Sequence, residues 1–200
     1  VPADADRAVF NVAPVALLVP TLMVLVVIPF GENSFMGGLN IGILFVLGVT
    51  SMTTIAIFMG GWASRNKYAM LGAMRGVAML ISYEVPMALG LVGVVTLAGS
   101  MALSDIVKSQ DVFYILVQPL GFFVFMAASL AEMSRAPFDM IESESELVSG
   151  YNTEYSSVRF ALFPQAEYIN MTTMAAVATD LYLGGWHGPF LPPEYGWIWF

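Results

Sequence analysis

Cysteine is missing from the chain altogether, and His187 is its only histidine. Without thiols there is no disulfide framework, no thiolate metal site and no iron–sulfur cluster ligated by this chain. One histidine excludes a His-rich metal centre and argues against a Ser-His-Asp arrangement. Charge is also scarce: 11% of the 200 residues are charged, against about 25% in an ordinary soluble domain. Basic residues are rarer still, with 7 Lys and Arg against 15 Asp and Glu and a net charge of −8. That balance excludes nucleic acid, whose phosphates need Lys and Arg, and a polybasic lipid-surface anchor. No segment has the glycine spacing of a dinucleotide or phosphate loop. No internal repeat or low-complexity tract is found, and residues 1–6 do not form a signal peptide. The chain opens on Val1 without a methionine and stops within an aromatic run at Phe200. It reads as an internal portion of a longer protein.

What is abundant is apolar: 58% of residues are hydrophobic and the mean hydropathy is +0.77. Such a chain has too little polar surface to cover a core in water, so lipid is its solvent. A transmembrane helix needs about 20 mostly apolar residues to cross a core of roughly 30 Å. Five stretches meet that need, at about 8–30, 39–62, 69–98, 112–131 and 160–183. The expected fold is therefore all-α, a polytopic transmembrane helix bundle forming one membrane domain over residues 1–200. Pro14, Pro20 and Pro29 fall in or beside the first span, which places it where neighbours satisfy the freed carbonyls. Orientation follows the Lys/Arg bias of the loops. Arg7, Arg65, Lys67, Arg135 and Arg159 fall on one side, and Lys108 alone on the other. The N-terminus and the 132–159 loop are thus expected in the cytoplasm, with bacterial inner or plasma membrane as the location.

Chemistry here must use carboxylates, arginines, tyrosines and amides. Ionisable side chains inside spans mark ion paths or paired structural sites. Arg75 and Glu84 share the third span but lie nine residues apart, so each needs a partner from elsewhere. For Arg75 a polar chamber and a structural inter-helix ion pair both stand. Glu84, two residues before Pro86, is read as part of a proton relay, since an acid can take up and release a proton as its surroundings change. Glu167 and Asp180 lie inside the fifth span. Between spans four and five runs the most polar stretch, with Glu132, Arg135, Asp139, Glu142, Glu144, Glu146, Glu154 and Arg159. A solvated acidic face is the bland explanation. The interleaving of Pro137, Phe138, Tyr151 and Tyr155 instead suits a loop packed on a partner or lining a cavity. Asp139 with Glu142 resembles a capping box and Gly150 is a natural left-handed stop, so a short helix is expected at about 140–149. Gly72 with Gly76, and Gly38 with Gly42, have the spacing of close helix packing. Trp186, Trp197 and Trp199 read as an interfacial belt, and His187 as a loop residue near the headgroups.

The run Ala131-Glu132-Met133-Ser134-Arg135-Ala136-Pro137-Phe138-Asp139, followed by Glu142-Ser143-Glu144-Ser145-Glu146-Leu147-Val148-Ser149-Gly150-Tyr151-Asn152-Thr153-Glu154-Tyr155 and on through Arg159, resembles the signature loop of the H subunit of NADH–quinone oxidoreductase. That protein, called subunit 1 in mitochondria, belongs to respiratory complex I. The segments from Pro2 to Phe10 and from Gly61 to Arg75, with Ile81-Ser82-Tyr83-Glu84-Val85, carry the same resemblance. One departure is visible: where the family usually has proline, this chain has Ile141 ahead of Glu142.

The resemblance implies an eight-helix subunit in the heel of the membrane arm, of which these spans would be the second to sixth. It implies one part of a proton-translocating enzyme, inactive alone, with no prosthetic group of its own and with quinone as substrate. Its partners would be the peripheral-arm quinone-site subunits, the adjacent small membrane subunits and lipid. Carried over by position, Arg135, Asp139, Glu142, Glu144, Glu146, Glu154 and Arg159 would face the quinone cavity. Glu84, Glu132, Glu167 and Arg75 would belong to the proton path. Rival readings are the homologous membrane subunit of an energy-converting hydrogenase or formate hydrogenlyase, and a stand-alone proton channel or transporter. The last predicts two related halves, which the sequence lacks.

Overall fold

The computed structural model describes residues 5–31, 38–138, 141 and 150–187, and among them every element is helical. Helix α1 runs Arg7–Val27, α2 Gly42–Ala63 and α3 Lys67–Ala98. Short helices α4 (Leu103–Lys108) and α5 (Tyr114–Val117) lead into α6 (Pro119–Glu132), and α7 spans Val158–Tyr182. A single 3₁₀ turn at Gly150–Asn152 precedes α7.

Local chemistry sets these limits. Asp6 caps α1, its carboxylate accepting from the backbone N–H of Ala8 at 3.2 Å. Asn66 caps α3 in the same way, accepting from Tyr68 N at 3.0 Å. Gly99 ends α3 in the left-handed region at φ 70°, where a residue without Cβ carries no steric cost. The helices α1, α2 and α3 are each long and apolar enough to cross a membrane. With 32 residues, α3 is about 48 Å long at 1.5 Å per residue, so it tilts or projects beyond a 30 Å core.

The other two expected spans differ from their sequence reading. The apolar run at 112–131 is not one helix: α5 stops after one turn, Gln118 leaves helical geometry at φ −133° ψ 61°, and α6 restarts with Pro119 at its first position. Proline has no N–H to give the preceding turn and its ring crowds the carbonyl four residues back, which favours a break here, although α1, α3 and α7 carry Pro14, Pro20, Pro86 and Pro164 without one. The remaining 14 residues of α6 cover about 21 Å. Such a break is tolerable in a membrane where neighbouring protein covers it. Gly93 of α3 makes the room for that cover, since a Cβ there would overlap the Gln118 carboxamide. The fifth stretch is a continuous 25-residue helix, long enough to span but more polar than the first three.

Helix α1 packs on α2 and α7, α2 on α3, and α3 on α6, so the five long helices form an arc that nearly closes between α6 and α7. Two apolar clusters fill it, one at each end. The first gathers Phe10, Leu17, Ile57, Leu80, Tyr151 and Phe163, where the N-terminus of α1 meets the α2–α3 turn. The second gathers Val24, Val46, Leu91, Leu103, Phe125 and Leu181 at the opposite end. Outward faces are apolar as well: Leu89 is 66% and Ile55 60% exposed, as lipid contact requires.

Trp186, expected in an interfacial belt, is instead 2% exposed and part of the interior. Its predicted companions Trp197 and Trp199, and the helix expected at 140–149, lie outside the described residues.

Candidate functional site

Between the two apolar clusters every long helix carries polar side chains at the same height. On α1 this is Thr21, between Leu17 of one cluster and Val24 of the other. On α2 the stretch Thr50, Ser51, Thr53 and Thr54 separates Val49 from Ala56, and on α3 Glu84 separates Leu80 from Met87. Helix α6 ends on Ser129 and Glu132, and α7 places Glu167, Asn170 and Thr173 between Ala166 and Met174. The bundle therefore has a polar waist. Most of its hydroxyls bond back to their own helix, as Thr53 does to the Thr50 carbonyl at 2.7 Å and Thr173 to the Ile169 carbonyl at 2.7 Å. That leaves the carboxyls as the groups able to exchange protons.

A cavity with about 30 Å³ of room for water lies in this waist, lined by Thr21, Thr53, Glu132, Tyr151, Glu167 and Asn170 among others. One water needs roughly 10–15 Å³ of such space, so the cavity holds about two. Glu132 is 8% exposed, and its carboxyl lies beside the Thr53 hydroxyl and within range of the charge of Glu84. Glu84 in turn accepts a hydrogen bond from Ser51 across the α2–α3 interface. The partner that the sequence demanded for Glu84 is thus a neutral hydroxyl. On the far wall, Glu167 lies 3.4 Å from the Tyr151 hydroxyl. Two carboxyls on two helices therefore face one water-sized space, and Glu84 on α3 stands outside its lining, within reach of Glu132.

The lid of this chamber is the segment 150–155. Tyr155 stacks on Phe10 with ring centroids 4.0 Å apart, and both Tyr151 and Tyr155 meet Phe163 edge-on, at 5.2 and 4.8 Å. Each such pair adds about 0.5–1.5 kcal/mol beyond its buried area. Burial pushes the Tyr155 hydroxyl above its ordinary range, and the positive charge of Arg159 offsets only part of that.

The remaining expected site residues are spread more widely. Arg135 is half-buried at the end of α6, its guanidinium 5.0 Å from the centre of the Tyr168 ring. Glu154 accepts from the Asn66 side chain at 2.6 Å, which ties it to the α2–α3 turn and away from the chamber. Arg159 is exposed on the first turn of α7, and Arg75 stands on an exposed face of α3. Neither lines the chamber. Asp139, Glu142, Glu144 and Glu146 lie outside the described residues.

Ile141, which replaces the proline usual in the resembled loop, is 1% exposed. Its side chain comes 3.1 Å from where a Cβ on Gly76 would sit, and it lines the chamber. Three of the four paired glycines mark close approach, though not of one long helix to another. Gly72 and Gly76 receive Gly150 and Ile141, and Gly42 receives Met101 and Leu103, while Gly38 has no neighbour within 4 Å. Ser51, Thr53 and Asn170 went unread in the sequence. The run Thr50-Ser51-Met52-Thr53-Thr54 in an otherwise apolar span was the available signal. Asp180 sits apart, near the other end of α7, 0% exposed and with no hydrogen-bond partner for either carboxyl oxygen among the described residues.

The family model described as NADH dehydrogenase matches residues 1–200 of the chain. Among curated relatives, the NADH-quinone oxidoreductase H subunit of Dehalococcoides mccartyi (strain CBDB1) is 50% identical over 198 residues, covering 99% of this chain and 56% of that protein. The proteins of the same name in Anoxybacillus flavithermus and Geobacillus kaustophilus are each 48% identical over 202 residues, covering 100% of this chain and 61% of theirs. The chain thus spans somewhat more than half the length of the relatives it matches.

Proposed function

Because this chain belongs to the NADH dehydrogenase family, in which the relatives named above are H subunits of NADH-quinone oxidoreductase, we propose that it couples quinone reduction to proton movement within that membrane complex. The observation that carries this reading is the polar waist, with Glu132 and Glu167 lining one small cavity between two apolar layers and Glu84 within electrostatic reach of Glu132.

Size separates the two roles. A pocket for an organic molecule commonly measures about 300–1,000 Å³, an order of magnitude above the 30 Å³ of water space in the waist. The waist therefore passes protons, through water and carboxyls, and does not hold the quinone ring. The quinone falls to the cytoplasmic loop, where Arg135, Asp139, Glu142, Glu144, Glu146, Glu154 and Arg159 supply the charged wall. Reduction of a quinone draws protons and places negative charge beside those carboxylates. Glu132 lies within reach of the charge of Glu84, so a change of charge on one is felt by the other. A charge change on the loop is felt at Glu132 first, since it ends α6 and leads into that loop. From there it reaches Glu84 on α3 and, through cavity water, Glu167 on α7. The chain supplies no redox group to this step; electrons come from the subunits docked on the cytoplasmic face.

The test is Glu132→Gln in the assembled complex. Proton pumping and quinone reduction are expected to fall at least tenfold, with NADH oxidation by a hydrophilic artificial acceptor intact. Full pumping by the variant would remove the waist from the proton path.

A further inference from the structure

At the α2–α3 turn, Trp62, Arg65, Asn66, Lys67 and Met70 surround an open cavity of about 350 Å³. Two of the chain's 7 basic residues stand in it, and among the described residues no carboxylate engages either one. Arg65 holds the left-handed backbone conformation at φ 47°, a strain that a non-glycine residue keeps only where the surroundings enforce it. Trp62 is 61% exposed beside these cations, the position of an aromatic ring at a membrane–water interface.

A second cavity, of about 220 Å³ and almost wholly apolar, lies between α1 and α2 against Val19, Pro20, Met23, Met52, Ile55 and Met59. Ile55, Met59 and Trp62 follow one another at four- and three-residue steps, so they form one stripe along α2 that joins the two cavities. From Met52 to Trp62 the axis advances about 15 Å at 1.5 Å per residue, which is half of a 30 Å hydrocarbon core, the depth of one leaflet.

We propose that this face holds one anionic phospholipid, its phosphate between Arg65 and Lys67 and an acyl chain in the groove between α1 and α2. Charge complementarity selects the headgroup: two cations without a carboxylate partner among the described residues stand at the membrane surface of a chain whose net charge is −8. Neutral phospholipids gain little there, and a water-soluble phosphate leaves the groove empty. The acyl groove is on the outer face of α2 while the waist is on its inner face; the headgroup cavity shares Asn66 with Glu154 of the proposed quinone wall.

The full-length protein, purified with the subunits that accompany it, is stripped of lipid and placed in phosphatidylcholine nanodiscs. Phosphatidylglycerol is then titrated in and its retention read by native mass spectrometry. Each surface cation contributes enough that Arg65→Gln with Lys67→Gln is expected to weaken phosphatidylglycerol binding about thirtyfold. Arg65→Lys with Lys67→Arg restores it. In the unsubstituted protein, a photoactivatable phosphatidylglycerol is expected to label Met59 and Trp62, which decides the matter even where the double variant fails to assemble. Equal binding by the Gln variant overturns the proposal. So does displacement of the lipid by glycerol phosphate at the same concentration, which makes the site one for phosphate alone. Protection of Lys67 from amine reagents in the lipid-free complex overturns it as well, by showing a neighbouring subunit on this face.

Discussion

Gly72→Ala tests how the lid of the chamber is held. A Cβ at Gly72 would lie 2.7 Å from Gly150 Cα, 2.9 Å from Gly150 C and 2.9 Å from Tyr151 N. All three are backbone atoms, so no rotamer change relieves the overlap. Ordinary contact begins near 3.4 Å, so the lid must move by about 0.7 Å. It cannot move freely, because Tyr155 is stacked on Phe10 and both Tyr151 and Tyr155 are packed edge-on against Phe163. Overpacking of this kind costs about 1–3 kcal/mol, and alanine returns about 1 kcal/mol through helix propensity. Gly48→Ala is the control: it lies inside α2 with nothing within 4 Å, so it receives only the gain. Gly76→Ala falls between them, since its Cβ meets the flexible Ile141 side chain at 3.1 Å.

The functional effect exceeds the loss of stability. Tyr151 faces Glu167 at 3.4 Å, already at the outer limit of a hydrogen bond. A further shift of that size breaks the contact, and misplacement by an ångström costs up to about a hundredfold in rate. The assay compares quinone reduction with NADH oxidation by a hydrophilic acceptor, alongside thermal unfolding of the assembled complex. Gly72→Ala is expected to lose quinone reduction and unfold earlier, Gly76→Ala to lose less, and Gly48→Ala to match the parent. Parity of Gly72→Ala with Gly48→Ala in both readouts would refute the pinning of the lid by α3.

Glu84→Gln keeps an acceptor for Ser51 while removing the exchangeable proton, so pumping or quinone turnover should drop without loss of assembly. Ser51→Ala keeps the acid and should have the smaller effect; the reverse order in a proton-uptake assay would make the Ser51 contact structural. Tyr155→Phe removes a buried hydroxyl that has no partner among the described residues, so stability should hold or rise by about 1–2 kcal/mol. Because burial raises this phenol, its contribution is full below its ordinary value near 10 and declines as pH rises above that. Alkaline unfolding followed by circular dichroism should therefore be less steep in Tyr155→Phe, and an identical profile would mean that the ring is solvated.

How far the sequence reaches is set by which signals are local. The first three spans were legible because each is a long apolar run with a local stop, such as Asn66 or Gly99. The break at Gln118 was not, since hydropathy barely registers one amide and one proline inside 112–131. Glu84 was legible as an acid needing a partner, but the partner, Ser51, is 33 residues away and chemically ordinary. Three of the four paired glycines, at 72, 76 and 42, are sites of close approach and Gly38 is not, and spacing cannot say whether a helix or a loop will fill the notch. Trp186 fell to the same difficulty: an aromatic residue past the end of a span looks interfacial until tertiary packing buries it. The apolar run and the intramembrane acid are properties of one helix, whereas the chamber is lined by four, α1, α2, α6 and α7.

That shared geometry also explains why acids survive in such apolar helices. A carboxyl facing lipid at mid-membrane is expensive, yet one facing a wet cavity keeps hydrogen-bond partners, and the cost falls on each helix only once. Five helices placing their polar residues at one height make a single site out of positions that would be liabilities alone. The same arrangement sets the waist between two apolar layers. On the side of the waist where α1 begins, the chamber is bordered by the layer that contains Phe10, Tyr151, Tyr155 and Phe163. Two of those four rings are carried by the segment that continues from the acidic loop. Under the proposed function, the element that senses the quinone is thus covalently joined to the element that seals the waist. Gly72, which receives that segment, fixes how tightly the seal is set.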